Sequence, residues 1–183
     1  MIKKLCLACC LGLAACRAPL TEPFTVIDYR QEEPIYLAAD VVEVSDQTIR
    51  YPDLPHLETR IPIAPAKALK EALMNRFQAA RDQSGNSFSV TVQTASLTQK
   101  TQKSEHWYIL DNVEYLLEYE VIVRYNRSGY PVETQQIIGW EKQALPRRSS
   151  LAEKEDAWQK MINAMIQKTV DKIQTDMPPS LQL

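Results

Sequence analysis

The stretch "VEYLLEYEVIVRY", residues 113–125, constrains this chain more than any other. Val113, Tyr115, Leu117, Tyr119, Val121, Val123 and Tyr125 recur at every second position. Glu114, Glu118, Glu120 and Arg124 stand between them, interrupted by Leu116 and Ile122. A period of two belongs to a β-strand, whose successive side chains point to opposite faces. So long a run demands an extended strand with one dry face, and a dry face needs a second layer to cover it. An all-helical fold is excluded.

The remaining segments supply those layers. "IYLAADVVEV", from Ile35, reads as a first strand of about ten residues, apolar and β-rich. "SDQTIRYPDLPHLETRIPIAP" holds Pro52, Pro55, Pro62 and Pro65 and reads as a long, partly extended loop. A helix over about 65–81 follows, with Pro65 in its first turn. Its Leu69, Ala72, Leu73, Phe77 and Ala80 make a stripe at helical spacing. "DQSGN" ends it, with Gly85 free to take left-handed backbone. "SFSVTVQTASL" alternates Phe88, Val90 and Val92 with Ser89, Thr91 and Gln93, the mark of a half-buried second strand. After the 113–125 strand, "NRSGYP" turns the chain at Gly129. "VETQQIIGWEKQAL" is the fourth strand, with Val132, Thr134, Gln136, Ile138 and Trp140 on one face.

The last helix opens at "SSLAE", where Ser150 and Glu153 have capping-box spacing and Glu155 and Asp156 favour the positive end of the dipole. Trp158, Met161, Ile162, Met165, Thr169 and Ile173 form its apolar stripe, flanked by Ile166 and Val170. It stops before Pro178 and Pro179. The order β-α-β-β-β-α implies an α+β two-layer sandwich: a mainly antiparallel four-stranded sheet with two helices on one face. The domain is expected over 35–177, with a tail at 178–183.

The four cysteines, Cys6, Cys9, Cys10 and Cys16, all lie in the first sixteen of 183 residues. Lys3 and Lys4 precede an uncharged apolar run over 5–15, a length that suits an export signal and falls short of the ~20 residues of a membrane span. Leu13-Ala14-Ala15-Cys16 resembles the bacterial lipobox, in which the cysteine is diacylated and becomes the first mature residue. Residues 1–15 are then a removed signal, and 16–34, with Pro19, Pro23 and Pro34, a lipidated tether. Two or three acyl chains on Cys16 hold where a single chain holds only marginally. Arg17, in place of an aspartate, favours the outer membrane by the lipoprotein sorting rule, facing the periplasm. The mature domain is left without disulfide, free thiol or thiolate ligand, and must rest on its core.

Little in the chain carries chemistry. Loss of Lys3 and Lys4 takes the formal charge from −2 to −4, which gives no reason to expect nucleic acid as a partner. His56 and His106 lie in no metal-binding spacing, no cofactor is implied, and nucleotide-binding glycine loops and nucleophile elbows are absent. No catalytic set stands out; Glu114, Glu118 and Glu120 would serve a glycan hydrolase only if two of them converged in a cleft. Lys142, Arg147 and Arg148 are the candidates for an anionic headgroup or sugar phosphate. Trp107, Tyr108, Ile109 and Leu110 are the candidates for binding a partner protein, being four large apolar residues in the connection "TQKTQKSEHWYILDN". The proline-rich stretch 51–65 offers a second docking segment.

Two segments carry a family resemblance. In "YPDLPHLETRIPIAPAKALKEAL", Pro52, Pro55, His56, Pro62, Pro65 and Ala68 follow a proline-bounded pattern; in "SLAEKEDAWQKMINAMIQKTVDKI", Ser150, Leu151, Glu153, Glu155 and Trp158 follow an "SL.E.E..W" opening. Together they resemble a family of uncharacterised proteobacterial lipoproteins. The element order also resembles that of the lipopolysaccharide-assembly lipoprotein LptE and of the auxiliary lipoproteins of ABC transporters. The resemblance implies a non-enzymatic, membrane-anchored accessory that binds an envelope protein in assembly or transport. Alternatives are a lipid- or glycolipid-binding module of a transport system and an envelope glycan hydrolase.

Overall fold

The computed structural model describes residues 23–80, 85–103 and 111–182. Its elements are β1 (Ile35–Leu37), β2 (Val41–Asp46), α1 (Pro65–Arg76), β3 (Phe77–Ala79), β4 (Ser87–Gln102), β5 (Asn112–Asn126), β6 (Glu133–Pro146) and α2 (Leu151–Asp176), with a 3-10 turn at Pro179–Leu181. The main sheet has the order β2-β4-β5-β6. Its two inner pairings with β5 are antiparallel, and β2 joins β4 in parallel. Both helices pack on the same face, so the fold is the expected α+β sandwich.

β5 meets its alternation in full. Val113 through Tyr125 bury every second side chain, and Tyr115 meets Trp158 of α2 edge to face at 5.7 Å. On β4 the alternation changes phase at Gln93. There a β-bulge makes Val92 pair with Val121 and Thr94 with Glu120, so the inward positions become Phe88, Val90, Val92, Ala95 and Leu97. One extra residue is what lets two consecutive polar residues, Gln93 and Thr94, pass without burying either. The strand continues to Gln102.

Three boundaries differ from the sequence reading. The expected first strand is broken: the backbone N–H of Ala39 donates to the carbonyl of Leu37, a tight turn that sends β1 to pair with β3 and β2 into the main sheet. α1 ends at Arg76 and not near residue 81, because Phe77 turns extended to begin β3 and packs its ring 5.6 Å from Phe88. The third difference lies in the stretch assigned to the tether. Phe24, Val26 and Ile27 pack against the core and Tyr29 is buried in it.

The reason is a match of spacings. Gln159, Asn163 and Gln167 lie four residues apart on α2. Their side-chain oxygens accept from the backbone N–H of Thr25 (3.0 Å), the backbone N–H of Ile27 (2.9 Å) and the hydroxyl of Tyr29 (3.2 Å). Four helical residues rise about 6.0 Å and two extended residues about 6.6 Å, so each helical turn meets the next alternate residue of the strap. Arg76 adds its guanidinium over the Tyr29 ring, 5.1 Å from the centroid.

α2 opens as its sequence predicts. Ser150 Oγ accepts from the Glu153 N–H, and the Glu153 carboxylate accepts from the Ser150 N–H, closing the capping box. The Ser150 N–H and then the Ser150 hydroxyl, which donates to the same carboxylate oxygen at 2.9 Å, hold the Glu153 carboxyl below its ordinary value.

Candidate interaction surface

Because both helices cover one face of the sheet, the other face is left to its own side chains. Reading across from β4 through β5 to β6, the register sets Thr98 beside Leu116 and Lys142, Ser96 beside Glu118 and Trp140, Thr94 beside Glu120 and Ile138, and Thr91 beside Ile122 and Gln136. Ile138 and Trp140 are 70% and 64% exposed. Thr134, Gln136, Ile138 and Trp140 do share a face, and it is this open one, while Val132 precedes the strand; the inward residues of β6 include Ile137 and Gly139.

Gly139 explains how Ile138 and Trp140 come to lie outward. The Tyr119 ring, on the paired residue of β5, lies across it so closely that a Cβ there would meet the ring Cζ at 2.3 Å. The tyrosine fills the inner space that a side chain at 139 would otherwise take, a recognised use of glycine within a strand. Burial raises the Tyr119 hydroxyl above its ordinary value, as does the Glu141 carboxylate, while Lys168 opposes them. Lys168 itself donates to Glu141 at 2.6 Å, which seals this side of β6 against α2.

The proline-rich loop borders the same face. Beyond the end of β2, the N–H of Leu57 donates to Leu97 O and the N–H of Gln99 to Pro55 O, so the loop continues along the edge of β4 that β2 has left. Glu58 anchors it: one carboxylate oxygen accepts from Ser96 Oγ at 2.7 Å and from the Leu97 N–H at 2.9 Å. His56 Nδ1 lies 3.1 Å from Ser96 Oγ, and Tyr51 stacks on the imidazole at 4.6 Å. The serine hydroxyl proton is thus committed to a carboxylate. That geometry holds the loop against β4.

The residues singled out in the sequence fall as follows. Cys16, Trp107, Tyr108, Ile109 and Leu110, with His106, lie outside the described residues. Lys142 is paired with Glu114 at 2.7 Å and Arg147 with Asp111 at 3.4 Å, while Arg148 is exposed. Two of the three basic residues are therefore neutralised by neighbouring acids. Glu114, Glu118 and Glu120 stand in a row on the open face, where Gln136 donates to Glu120 at 2.7 Å. Glu118 is exposed and has no hydrogen-bond or ion-pair partner among the described residues. No group of three metal-ligating side chains occurs among the described residues, and no helix among them is long and apolar enough to cross a membrane.

The chain is similar to solved proteobacterial lipoproteins. A minor lipoprotein of Acinetobacter baumannii shares 14% identity over 76% of this chain and 93% of that one, with a TM-score of 0.42. The rare lipoprotein B of Shewanella oneidensis shares 17% over 73% and 94%, at 0.38. An uncharacterised lipoprotein B of Nitrosomonas europaea shares 12% over 78% and 88%, at 0.44. No family model and no curated protein matches the chain.

The Ile138–Trp140 pair was legible as sharing a face but not as facing solvent. The available signal was Gly139 between them: a glycine within a strand marks a close approach from one side, which sends its neighbours to the other. The Glu58–Ser96–His56 contact had no signal, since its members come from a loop and a strand about 40 residues apart.

Proposed function

We propose that this chain is a non-enzymatic envelope lipoprotein, anchored by acyl chains on Cys16 to the periplasmic side of the outer membrane, that binds an envelope protein through the open face of its sheet. One observation carries the binding site: two large apolar side chains, Ile138 and Trp140, lie side by side and mostly exposed where neither helix covers the sheet. Adjacent exposed apolar groups beside a polar border are the usual composition of a docking surface. The unpaired Glu118 next to Trp140 adds a negative charge, so the surface fits a partner that presents apolar side chains beside a lysine or arginine. Anchoring and address rest on the lipobox-like Leu13-Ala14-Ala15-Cys16 and on Arg17.

The lipid-headgroup reading loses support from the pairing of Lys142 and Arg147 with acids. The hydrolase reading loses support from glutamates that stand in one row along a strand, with no second carboxylate opposing them across a cleft among the described residues.

A photoreactive residue placed at Glu118 or Trp140 in intact cells tests the binding site. The expected result is a light-dependent adduct of one discrete mass with an envelope protein, absent when the probe replaces the exposed Asp156 of α2. Equal adducts from both positions, or none from the sheet face, would refute it. The Cys16→Ser chain is expected to leave the membrane fraction.

A further inference from the structure

The two edges of the sheet are treated differently. On the β2 side the edge strand is six residues long, and the loop at Pro55 and Leu57 hydrogen-bonds along β4 beyond it. On the β6 side a strand of 14 residues pairs with β5 alone, and its other edge meets no strand among the described residues. Sheet edges are ordinarily blunted by a bulge, a proline or a charge at the centre of the strand. β6 has no bulge and no internal proline: its register with β5 runs unbroken from Tyr125↔Glu133 to Asn112↔Pro146, its one proline is its last residue, Gln135 through Trp140 are uncharged, and the charges that follow, Glu141 and Lys142, are met within the chain by Lys168 and Glu114.

We infer that the occupant of this edge is β6 of a second copy of the chain, paired antiparallel about a two-fold axis at Gly139. The sequence of the strand is complementary to itself in that register. On the open face, Ile138 of each copy lies beside Trp140 of the other, Gln136 beside Lys142 and Thr134 beside Ala144. On the inner face, Ile137 lies beside Glu141, whose charge Lys168 already meets. No two like charges stand opposite one another, and Glu133 faces Leu145.

Membrane anchoring favours the same arrangement. A two-fold axis relating antiparallel strands is perpendicular to the sheet, so both helical layers fall on one side of the joined eight-stranded sheet. The described chain begins at Pro23, and from Thr25 it lies on α2, so both tethers start from that one side. Two anchors can then enter one bilayer, and confinement to it raises the effective concentration of one copy for the other. This last point rests on the lipidation proposed above; the edge geometry does not. The pairing also doubles the exposed patch, placing both Ile138–Trp140 pairs at the centre of one continuous open face.

Two differently tagged full-length copies, one Gln136→Cys and one Lys142→Cys, are co-expressed and exported, and envelopes are run without reductant. A disulfide-linked heterodimer is expected from this pair and not from two Gln136→Cys copies, whose thiols are out of register. Trp140→Lys, added to both copies, is expected to bring the crosslink to background while leaving the far-ultraviolet circular dichroism of the chain unchanged. Absence of the heterodimer, equal yield from two Gln136→Cys copies, or a mixed disulfide with another protein in its place would overturn the pairing. Should the heterodimer be absent while Glu118 still captures a discrete partner, the pairing falls and the binding function stands. Should the Cys16→Ser chain remain with the membrane while the heterodimer forms, the anchor falls and the pairing stands.

Discussion

Gly139→Ala isolates the contact that orients β6. An added Cβ would sit 2.3 Å from both Cζ and Oη of Tyr119 and 2.8 Å from Cε2, so the ring must retreat by more than ~1 Å to reach ordinary contact distance. It has little room, since Tyr119 is buried and its other strand neighbour is Ala95 on β4. Overpacking of this kind costs about 1–3 kcal/mol, and replacing a strand glycine returns roughly 0.5–1 kcal/mol of backbone entropy. The net loss lies within about 0–2.5 kcal/mol, centred near 1 kcal/mol. In a domain of this size the central value lowers the thermal midpoint by roughly 2–4 °C. Thermal unfolding of the purified protein followed by circular dichroism measures it. Tyr119→Leu should relieve the clash, so the double variant is expected to be more stable than the sum of the single effects by about 1 kcal/mol. A Gly139→Ala protein that melts at or above the parent, or strict additivity with Tyr119→Leu, would refute the account of why Ile138 and Trp140 face solvent.

Tyr125 makes a prediction about alkaline pH. Burial, and then the charges of Asp176 and Glu133, push its hydroxyl from 10.0 up to about 12. The folded state holds this proton more tightly than the unfolded chain does, so the contribution to stability is full below pH 10 and is lost as pH rises toward 12. Urea midpoints of Tyr125→Phe should therefore fall less steeply than the parent's across that window; parallel curves would contradict the assignment. Glu58→Ala removes the acceptor for Ser96 Oγ and the Leu97 N–H. The expected cost is about 2–3 kcal/mol, with faster proteolysis of the loop at 47–64, whereas Glu58→Gln, which keeps an acceptor oxygen, should lose less. Unchanged cleavage in Glu58→Ala would show that the loop is held by something else.

Much of the fold was legible because it depends on local period. The alternation along β5 and the stripe and capping box of α2 are properties of consecutive residues, and each element forms where the sequence places it. The elements misjudged are those decided by a neighbour. Phe77 continues the helical stripe of α1, yet its ring belongs against Phe88 and leaves the helix to reach it. The proline-containing stretch before residue 34 looks like linker until the amides of α2 supply partners for its backbone.

By itself, then, the amino-acid order determined the α+β class, the three long strands β4 to β6 and the two helices, because these follow from periodicity, caps and residues met one after another along the chain. Which strand faces look outward, where the strap lies and what holds the proline-rich loop were decided only in three dimensions. Each depends on a contact between residues distant in sequence: Tyr119 with Gly139, Tyr29 with Gln167, Glu58 with Ser96. Burial and hydrogen bonding reward such pairs only once the chain has brought them together, so no local pattern announces them.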